Sequence, residues 1–219
     1  FNNLLSPSLK IGVPSDDFFS EVEEEVKKKF SNSIDMMKSM GAEIIEFDLS
    51  WLLMARSVNV VITLAEAFSI HKHWLKSDSK NYTFEVLSRL VLGENLSAND
   101  YLSSMRVMGY IQKRIGDVFE KFDVLACPTI PELPSLISDY SKENLSKSKN
   151  IVGGKIPVFT SLFNVTRQPS ITTTAGFSSE GLPIGVMFTG KFNEDYKVLQ
   201  VGNWFEKINR DQINNIPNI

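Results

Sequence analysis

The two histidines and the one cysteine of this sequence are the first residues to weigh for metal binding or nucleophilic attack. His71 and His73 stand two positions apart in a stretch predicted to be helical, which separates them by roughly 200° around the axis. They cannot face one metal ion together, as an i, i+4 pair can. Cys127 lies in an apolar segment before Pro128, which is typical of a small buried hydrophobic residue and not of a nucleophile. We therefore expect no metal site and no catalytic group here.

Other motifs with chemical meaning are also missing or have a structural explanation. Gly153-Gly154-Lys155 lacks the spacing of a phosphate-binding loop, and no G-x-S-x-G nucleophile motif occurs. The acidic stretch at residues 21–25 falls in the first turn of a predicted helix, where negative charge suits the helix dipole, so a solvated face explains it. Taken residue by residue, the sequence predicts no catalytic residue of its own and no metal or organic cofactor.

Composition limits the class of protein. The 219 residues are 42% hydrophobic and 22% charged, with a formal net charge of -3 and no basic block, so no nucleic-acid or membrane-surface partner is expected. No run approaches the roughly 18 to 20 apolar residues that span a bilayer, so no membrane-spanning segment is expected. The single cysteine fits a reducing compartment, and we expect a cytoplasmic protein. The first residue is Phe1 and not Met, which suggests a cut or processed product or a preparation artefact.

The first sixty residues predict a strand, a helix and a second strand. Residues 9–13 form a short apolar run closed by Pro14. Ser20 and Glu23 have the spacing of a capping box, and Gly41 is placed to end the helix. The apolar stripe between these signals consists of Val22, Val26, Phe30, Ile34 and Met37. Because a second strand is predicted at residues 42–47, the crossover should place the two strands side by side in parallel.

The rest of the chain continues to alternate helices and strands. Helices are predicted at residues 52–75, at 82–92 with Gly93 as the stop, from the capping pair Ser97 and Asp100 through Phe122, and at 195–208. Strands are predicted at 123–127, 169–174 and 182–189, and 132–150 is expected to be a surface connection. This order predicts an α/β fold with a mixed β-sheet flanked by helices.

Six motifs in one order resemble the amidase signature family of serine hydrolases. They are "LKIGVP" at 9–14, "GAEIIEFDL" at 41–49, "AEA" at 65–67, "DVLACPTIP" at 123–131, "FNVTRQPSI" at 163–171 and "GFSSEGLPIGVMFTGKFNED" at 176–195. Together they cover nearly the whole chain and are similar to the C-terminal half of that family. The resemblance implies that residues 1–219 form half of a single amidase domain, with the N-terminal catalytic half absent.

The resemblance also implies a mechanism. In this family a serine attacks the amide carbonyl, a lysine acts as base through a second serine held by a cis peptide, and backbone N–H groups of a Gly- and Ser-rich loop stabilise the oxyanion. Ammonia or an amine leaves, and water releases the acid. These groups belong to the family's N-terminal half, and no Gly-Ser-Ser-Gly-Gly stretch occurs here. No catalytic residue is therefore assigned, and we expect the chain alone to be inactive.

Four residues are the candidates for contact with substrate: Pro128, Thr129, Asn164 and Arg167. The first two end a predicted strand in an irregular Pro-Thr-x-Pro loop, and such ends of α/β sheets are where ligands collect. Asn164 could equally tie loop backbone together. Arg167 stands where the family usually has glycine, and it faces either the pocket mouth or solvent. Thr174 replaces the usual proline. We expect these residues to form one wall of an acyl pocket for a small-molecule amide.

Departures from the tRNA-dependent amidotransferase A subunits argue against glutamine as the substrate. Those subunits carry tyrosines where this chain has Asn59 and Val60, and an aspartate where it has Pro157. Arg89 matches their carboxylate-binding arginine, although a surface charge explains it as well. Without an acidic partner for the α-amino group, a general amidase that cleaves carbon-nitrogen bonds is favoured.

Two alternatives remain open. The chain could be a non-catalytic scaffold that binds a partner subunit, or part of a glutamine-dependent amidotransferase A subunit. The main partner expected is the missing N-terminal half of the same protein, and a homodimer is another option. A divided sheet should also leave apolar surface exposed, so we expect the isolated chain to self-associate or aggregate.

Overall fold

A mixed five-stranded sheet forms the centre of the protein. The computed structural model describes residues 9–137 and 158–214. The strands are β1 (Lys10–Pro14), β2 (Glu43–Phe47), β3 (Val124–Pro128), β4 (Ser170–Phe177) and β5 (Pro183–Gly190). Their order across the sheet is β2-β1-β3-β5-β4. β1 pairs in parallel with β2 and β3, whereas β5 runs antiparallel to β3 and β4. The predicted mixed sheet and the parallel pair of β1 and β2 are confirmed, and the two strands predicted at 169–174 and 182–189 pair with each other as β4 and β5.

Helix α1 (Glu24–Ser39) connects β1 to β2 and packs through its apolar stripe. All five predicted stripe positions are buried, and Gly41 ends the turn after the helix with a φ of 93°. The predicted start at Ser20 is wrong. A short 3-10 helix (Asp16–Phe19) ends just before Ser20, and the backbone N–H of Glu23 donates to Pro131 O at 2.8 Å. This contact takes the donor that a capping box would have used, and the N-cap of α1 is Glu23, three residues later than predicted.

Three helices between β2 and β3 form a separate layer. They are α2 (Ala55–Ser77), which follows a 3-10 helix (Ser50–Met54), α3 (Phe84–Leu92) and α4 (Ala98–Val118). The capping box of Ser97 and Asp100 is confirmed at the start of α4. Ile111 and Ile115 anchor α4 in the core. In α2, by contrast, only Ala55 and Val58 are buried, and the rest of the helix is half-buried or exposed.

The segment Ser50–Ser77 is long and apolar enough, by length and composition, to cross a membrane. On these two criteria the expectation that the chain has no such segment is wrong. Arg56, Asn59 and Glu66 interrupt the apolar residues of this segment, so it contains no long continuous apolar run. An average over the helix is little affected by three polar residues. The segment therefore meets the criteria of length and average composition but not that of a continuous apolar run.

The C-terminal part closes the sheet on one side. Helix α5 (Thr160–Thr166) precedes β4, α6 (Asp195–Ile208) follows β5 as predicted, and α7 (Arg210–Asn214) is short. α6 packs on β4 and β5, where the rings of Phe188 and Phe205 are 5.3 Å apart. The connection predicted at 132–150 falls mainly outside the described residues.

Candidate functional site

The loop that follows β3 carries the first two predicted substrate contacts. Pro128 is the buried last residue of β3 and pairs with Val186 of β5. The next residue, Thr129, is half-buried, and its N–H donates to Gly185 O at 3.1 Å. Its hydroxyl lies 3.2 Å from the hydroxyl of Thr172 on β4. The chain thus leaves the sheet at a point where three strands are linked by polar contacts.

Gly185 makes the meeting of the two threonines sterically feasible. It lies on β5, between β3 and β4. A Cβ atom added there would stand 2.6 Å from Thr129 Oγ1 and 2.9 Å from Thr172 Cγ2. Only glycine therefore fits under the two side chains. Sequence reasoning did not select Gly185 or Thr172, although a glycine inside a predicted strand is a signal for such close approach.

The other two predicted contacts lie at the end of α5. Asn164 and Arg167 are both exposed. Arg167 follows the helix with a φ of 60°, in the left-handed region. That conformation favours glycine, which explains why an arginine stands out at this position. The helix itself is anchored by Gln112, whose Nε2 donates to Val165 O at 2.8 Å.

Both pairs of predicted residues border β4, but from different directions. Thr129 reaches the strand at Thr172, and Arg167 leads into it along the chain, three residues before Ser170. Within residues 9–137 and 158–214, no hydrogen bond or ion pair joins Pro128 or Thr129 to Asn164 or Arg167. Their assignment as one substrate site stays a prediction.

Glu23 and Glu24 at the start of α1 are exposed, as a solvated acidic face predicts, but Glu23 and Glu25 also bind two loops. A carboxylate oxygen of Glu23 accepts the N–H of Leu133 at 3.0 Å. Glu25 accepts the backbone N–H of Ser179 in the β4–β5 turn, and its second oxygen accepts the Ser179 hydroxyl at 3.3 Å. The helix dipole alone did not predict these contacts, because they join residues more than a hundred positions apart.

A cleft of about 810 Å³ opens at the carboxyl ends of β1 and β3, against one side of α1. Of the four predicted substrate residues, Pro128 borders it. Its charged lining includes Lys27 and Glu24 of α1, and Phe30 contributes apolar surface. The carboxyl ends of parallel strands commonly receive ligands, so the position of the cleft agrees with a binding role for this edge of the sheet.

The side chains with intrinsic reactivity are accounted for by packing. Cys127 is fully buried in β3, and burial raises the pKa of its thiol far above the ordinary value, so it is not a thiolate nucleophile. Its predicted role as a small buried hydrophobic residue is confirmed. His71 Nδ1 lies 2.8 Å from the hydroxyl of Tyr82, and His73 is exposed. Across the described ranges, no three His, Cys, Asp or Glu residues are grouped to hold a metal ion.

The positions compared with glutamine-binding subunits are also located. Arg89 forms an ion pair with Glu85 one turn earlier in α3, with Nη2 and Oε1 2.8 Å apart. Asn59 and Val60 are half-buried in α2. Pro157 lies outside the described residues. The ion pair supports the surface-charge explanation of Arg89.

Comparison with known proteins gives a consistent result. A model of the family described as Amidase matches residues 2–199. An amidase from Pseudomonas putida is 31% identical over 202 residues, which cover 91% of this chain and 42% of that protein. The A subunit of a glutamyl-tRNA(Gln) amidotransferase from Lachnospira eligens is 28% identical, over 91% of this chain and 45% of that protein.

Solved structures share the fold. The allophanate hydrolase of Kluyveromyces lactis superposes with a TM-score of 0.80 at 22% identity, over 94% of this chain and 33% of that one. An identity this low shows the fold alone. The chain spans less than half the length of these two curated relatives, the amidase and the amidotransferase subunit.

Proposed function

This chain belongs to the Amidase family, and from that premise we propose that it is the substrate-pocket half of an enzyme that hydrolyses the carbon-nitrogen bond of a small carboxamide. The family match over residues 2–199 is the observation that carries the proposal. The loop after β3 and the end of α5 then supply one wall of the acyl pocket, through Pro128, Thr129, Asn164 and Arg167.

The reactive groups are proposed to come from polypeptide outside this sequence. Among the described residues, no lysine ammonium is hydrogen-bonded to a serine hydroxyl, and the pKa of the single thiol is raised by burial. A serine donated by that polypeptide attacks the carbonyl, the amine leaves with a proton, and water releases the acid. This division agrees with the share of its relatives that the chain covers.

An exposed apolar surface supports the same division. Most large apolar side chains with high exposure lie on the three helices between β2 and β3, namely Ile70, Trp74, Val86, Val91, Leu92, Leu102, Val107 and Tyr110. Clusters of exposed apolar side chains on one face of a protein commonly mark a surface that packs against other polypeptide. We propose that the remainder of the amidase fold packs on this layer.

The test compares this chain with the longer protein obtained by including the upstream coding sequence. Release of ammonia or amine from a panel of aliphatic and aromatic amides is measured for both. We expect turnover by the longer protein and none by residues 1–219 alone. Turnover by the short chain at enzymatic rates, or a start codon at this boundary with no amidase partner, would overturn the proposal and favour a self-contained enzyme or a scaffold.

An amidotransferase A subunit is the second candidate, because one such protein is 28% identical to this chain. It predicts glutaminase activity that rises with a partner subunit. The absence of glutamine hydrolysis by a longer protein that cleaves simple amides would reject it. Neither outcome changes the assignment of the chain to the family.

A further inference from the structure

We propose that Glu23 is a positioning residue, which holds the loop after β3 in the conformation that contacts the acyl part of the substrate. The inference rests on the proposed function for its link to substrate. Its structural part, that Glu23 fixes the loop, stands independently of any activity.

Glu23 makes two hydrogen bonds to the loop, one on each side of Glu132. Its backbone N–H donates to Pro131 O at 2.8 Å, and its carboxylate accepts the N–H of Leu133 at 3.0 Å. One residue thus satisfies a carbonyl and an amide group two positions apart. A paired contact of this kind fixes the direction of the backbone, which a single bond would leave free to rotate.

The described backbone of the loop makes few other hydrogen bonds. Pro128 and Pro131 carry no N–H, so the ladder of the sheet ends with the bond from Thr129 N–H to Gly185 O. From residue 129 to residue 135, the described backbone hydrogen bonds are this one and the two to Glu23. Beyond them the side chain of Ile137 is 93% exposed. Glu23 therefore makes the hydrogen bonds that follow directly after the strand ends, beside the burial of Pro131 and the packing of Leu133 on the core.

Glu23 is itself fixed by the core. Val22 before it and Val26 after it are buried, and Phe30 packs against Phe19 with ring centroids 5.4 Å apart. From the same helical turn, Glu25 binds the β4–β5 turn at Ser179. The loop after β3 and the β4–β5 turn are thus both hydrogen-bonded to the start of α1.

The experiment uses the longer, active form of the protein with Glu23→Asp and Glu23→Gln. Aspartate keeps the charge near the start of α1 but is one methylene shorter and loses the bond to Leu133, whereas glutamine keeps an oxygen acceptor at full length. Glu21→Ala is the matched control, because Glu21 is an exposed acid before the same helix with no described contact. Hydrogen exchange of the peptide containing Leu133 and the kcat and KM for an amide are measured.

For Glu23→Asp we expect exchange at Leu133 to accelerate and KM to rise about tenfold with kcat nearly unchanged, since losing one hydrogen bond to a charged group has roughly that effect. The Glu23→Gln variant should keep the exchange rate at Leu133 and the KM close to the wild-type values. The Glu21→Ala variant should match the wild type in both. Unchanged exchange, or faster exchange with unchanged KM, would overturn the proposal. If the wild-type protein hydrolyses no amide, the proposed function fails, while the exchange measurement still decides whether Glu23 holds the loop.

Discussion

The contact between Thr129 and Thr172 depends on the missing side chain of Gly185. Their hydroxyls are 3.2 Å apart above a strand that lies between the two residues. A single methyl group on β5 would occupy the space they share. Because Thr129, Gly185 and Thr172 join β3, β5 and β4 at the predicted pocket wall, one substitution at Gly185 can test both protein stability and substrate contact.

Gly185→Ala is expected to lower the free energy of unfolding by about 1–3 kcal/mol, because the new methyl forces both threonines to shift. Urea denaturation followed by circular dichroism measures the change. Gly116→Ala is the control, since a Cβ at Gly116 in α4 meets nothing within 4 Å. It should stabilise the protein by about 0.5–1 kcal/mol through helix propensity. Equal effects of the two substitutions would contradict the packing argument.

Arg167 carries a backbone conformation that its side chain disfavours. With φ at 60°, replacement by glycine should increase stability by about 0.5–1 kcal/mol, whereas Arg167→Ala should give no such gain. Thermal unfolding distinguishes the two variants. A fall in activity of the longer protein with both variants would indicate that the cation contacts substrate. Destabilisation by glycine would argue against strain at this position.

At the level of elements, Asp123 joins the start of β3 to β1 and α6. Its Oδ2 accepts the backbone N–H of Lys10 at 2.9 Å, and its Oδ1 lies 3.1 Å from Lys197 Nζ. Partial burial alone would raise the pKa of the Asp123 carboxyl. The hydrogen bond from Lys10 and the ion pair with Lys197 outweigh burial, and the pKa lies below its ordinary value of 3.8.

The lowered pKa gives a signed prediction for stability. A carboxyl whose pKa is lower in the folded state stabilises that state above the unfolded pKa, and the contribution is lost as the pH falls through the folded value. Asp123→Asn should therefore destabilise the protein near neutral pH, with the difference from wild type shrinking below about pH 3.8. Asp117→Asn, at an exposed carboxylate of α4, is the control. A difference that grows in acid would contradict the assignment.

Local patterns predicted the elements better than the contacts between them. The stripe of α1 and the capping box of α4 follow from side-chain periodicity and spacing, which a sequence displays directly. The start of α1 could not be predicted from spacing. Ser20 and Glu23 have the spacing of a capping box, but the N–H of Glu23 donates to Pro131 O instead. Contacts between residues far apart in the sequence form only when the sheet assembles. The position of β5 between β3 and β4 is likewise a property of the assembled sheet. For the same reason the motifs located Thr129 but not Gly185 beside it.

On the scale of the whole molecule, the sheet and the helical layer differ in how well they are covered. The strands β3 and β5 are almost wholly buried, whereas α2 has two buried residues among 23. The surface available for another polypeptide therefore lies on the helical layer. Covering it would also shield most of the exposed large apolar side chains among the described residues.

Trp74→Asp should reduce self-association of the isolated chain, because Trp74 is 53% exposed on this layer. Sedimentation velocity over a range of concentrations measures the effect. Phe192→Asp removes a comparably exposed aromatic side chain from the turn after β5 and should leave association unchanged. A wild-type chain that is a monodisperse, cooperatively melting monomer would show instead that the half-length chain is a domain in its own right.

The single thiol offers a practical way to follow opening of the sheet. Cys127 lies on β3, between β1 and β5 in the middle of the sheet, so a maleimide or iodoacetamide can reach it only when these strands separate. Since the sequence has one cysteine, each labelled molecule reports one opening event by a single mass increment. When closing is faster than alkylation, the labelling rate measures the equilibrium population of the open form. Adding polypeptide that completes the fold should slow that rate.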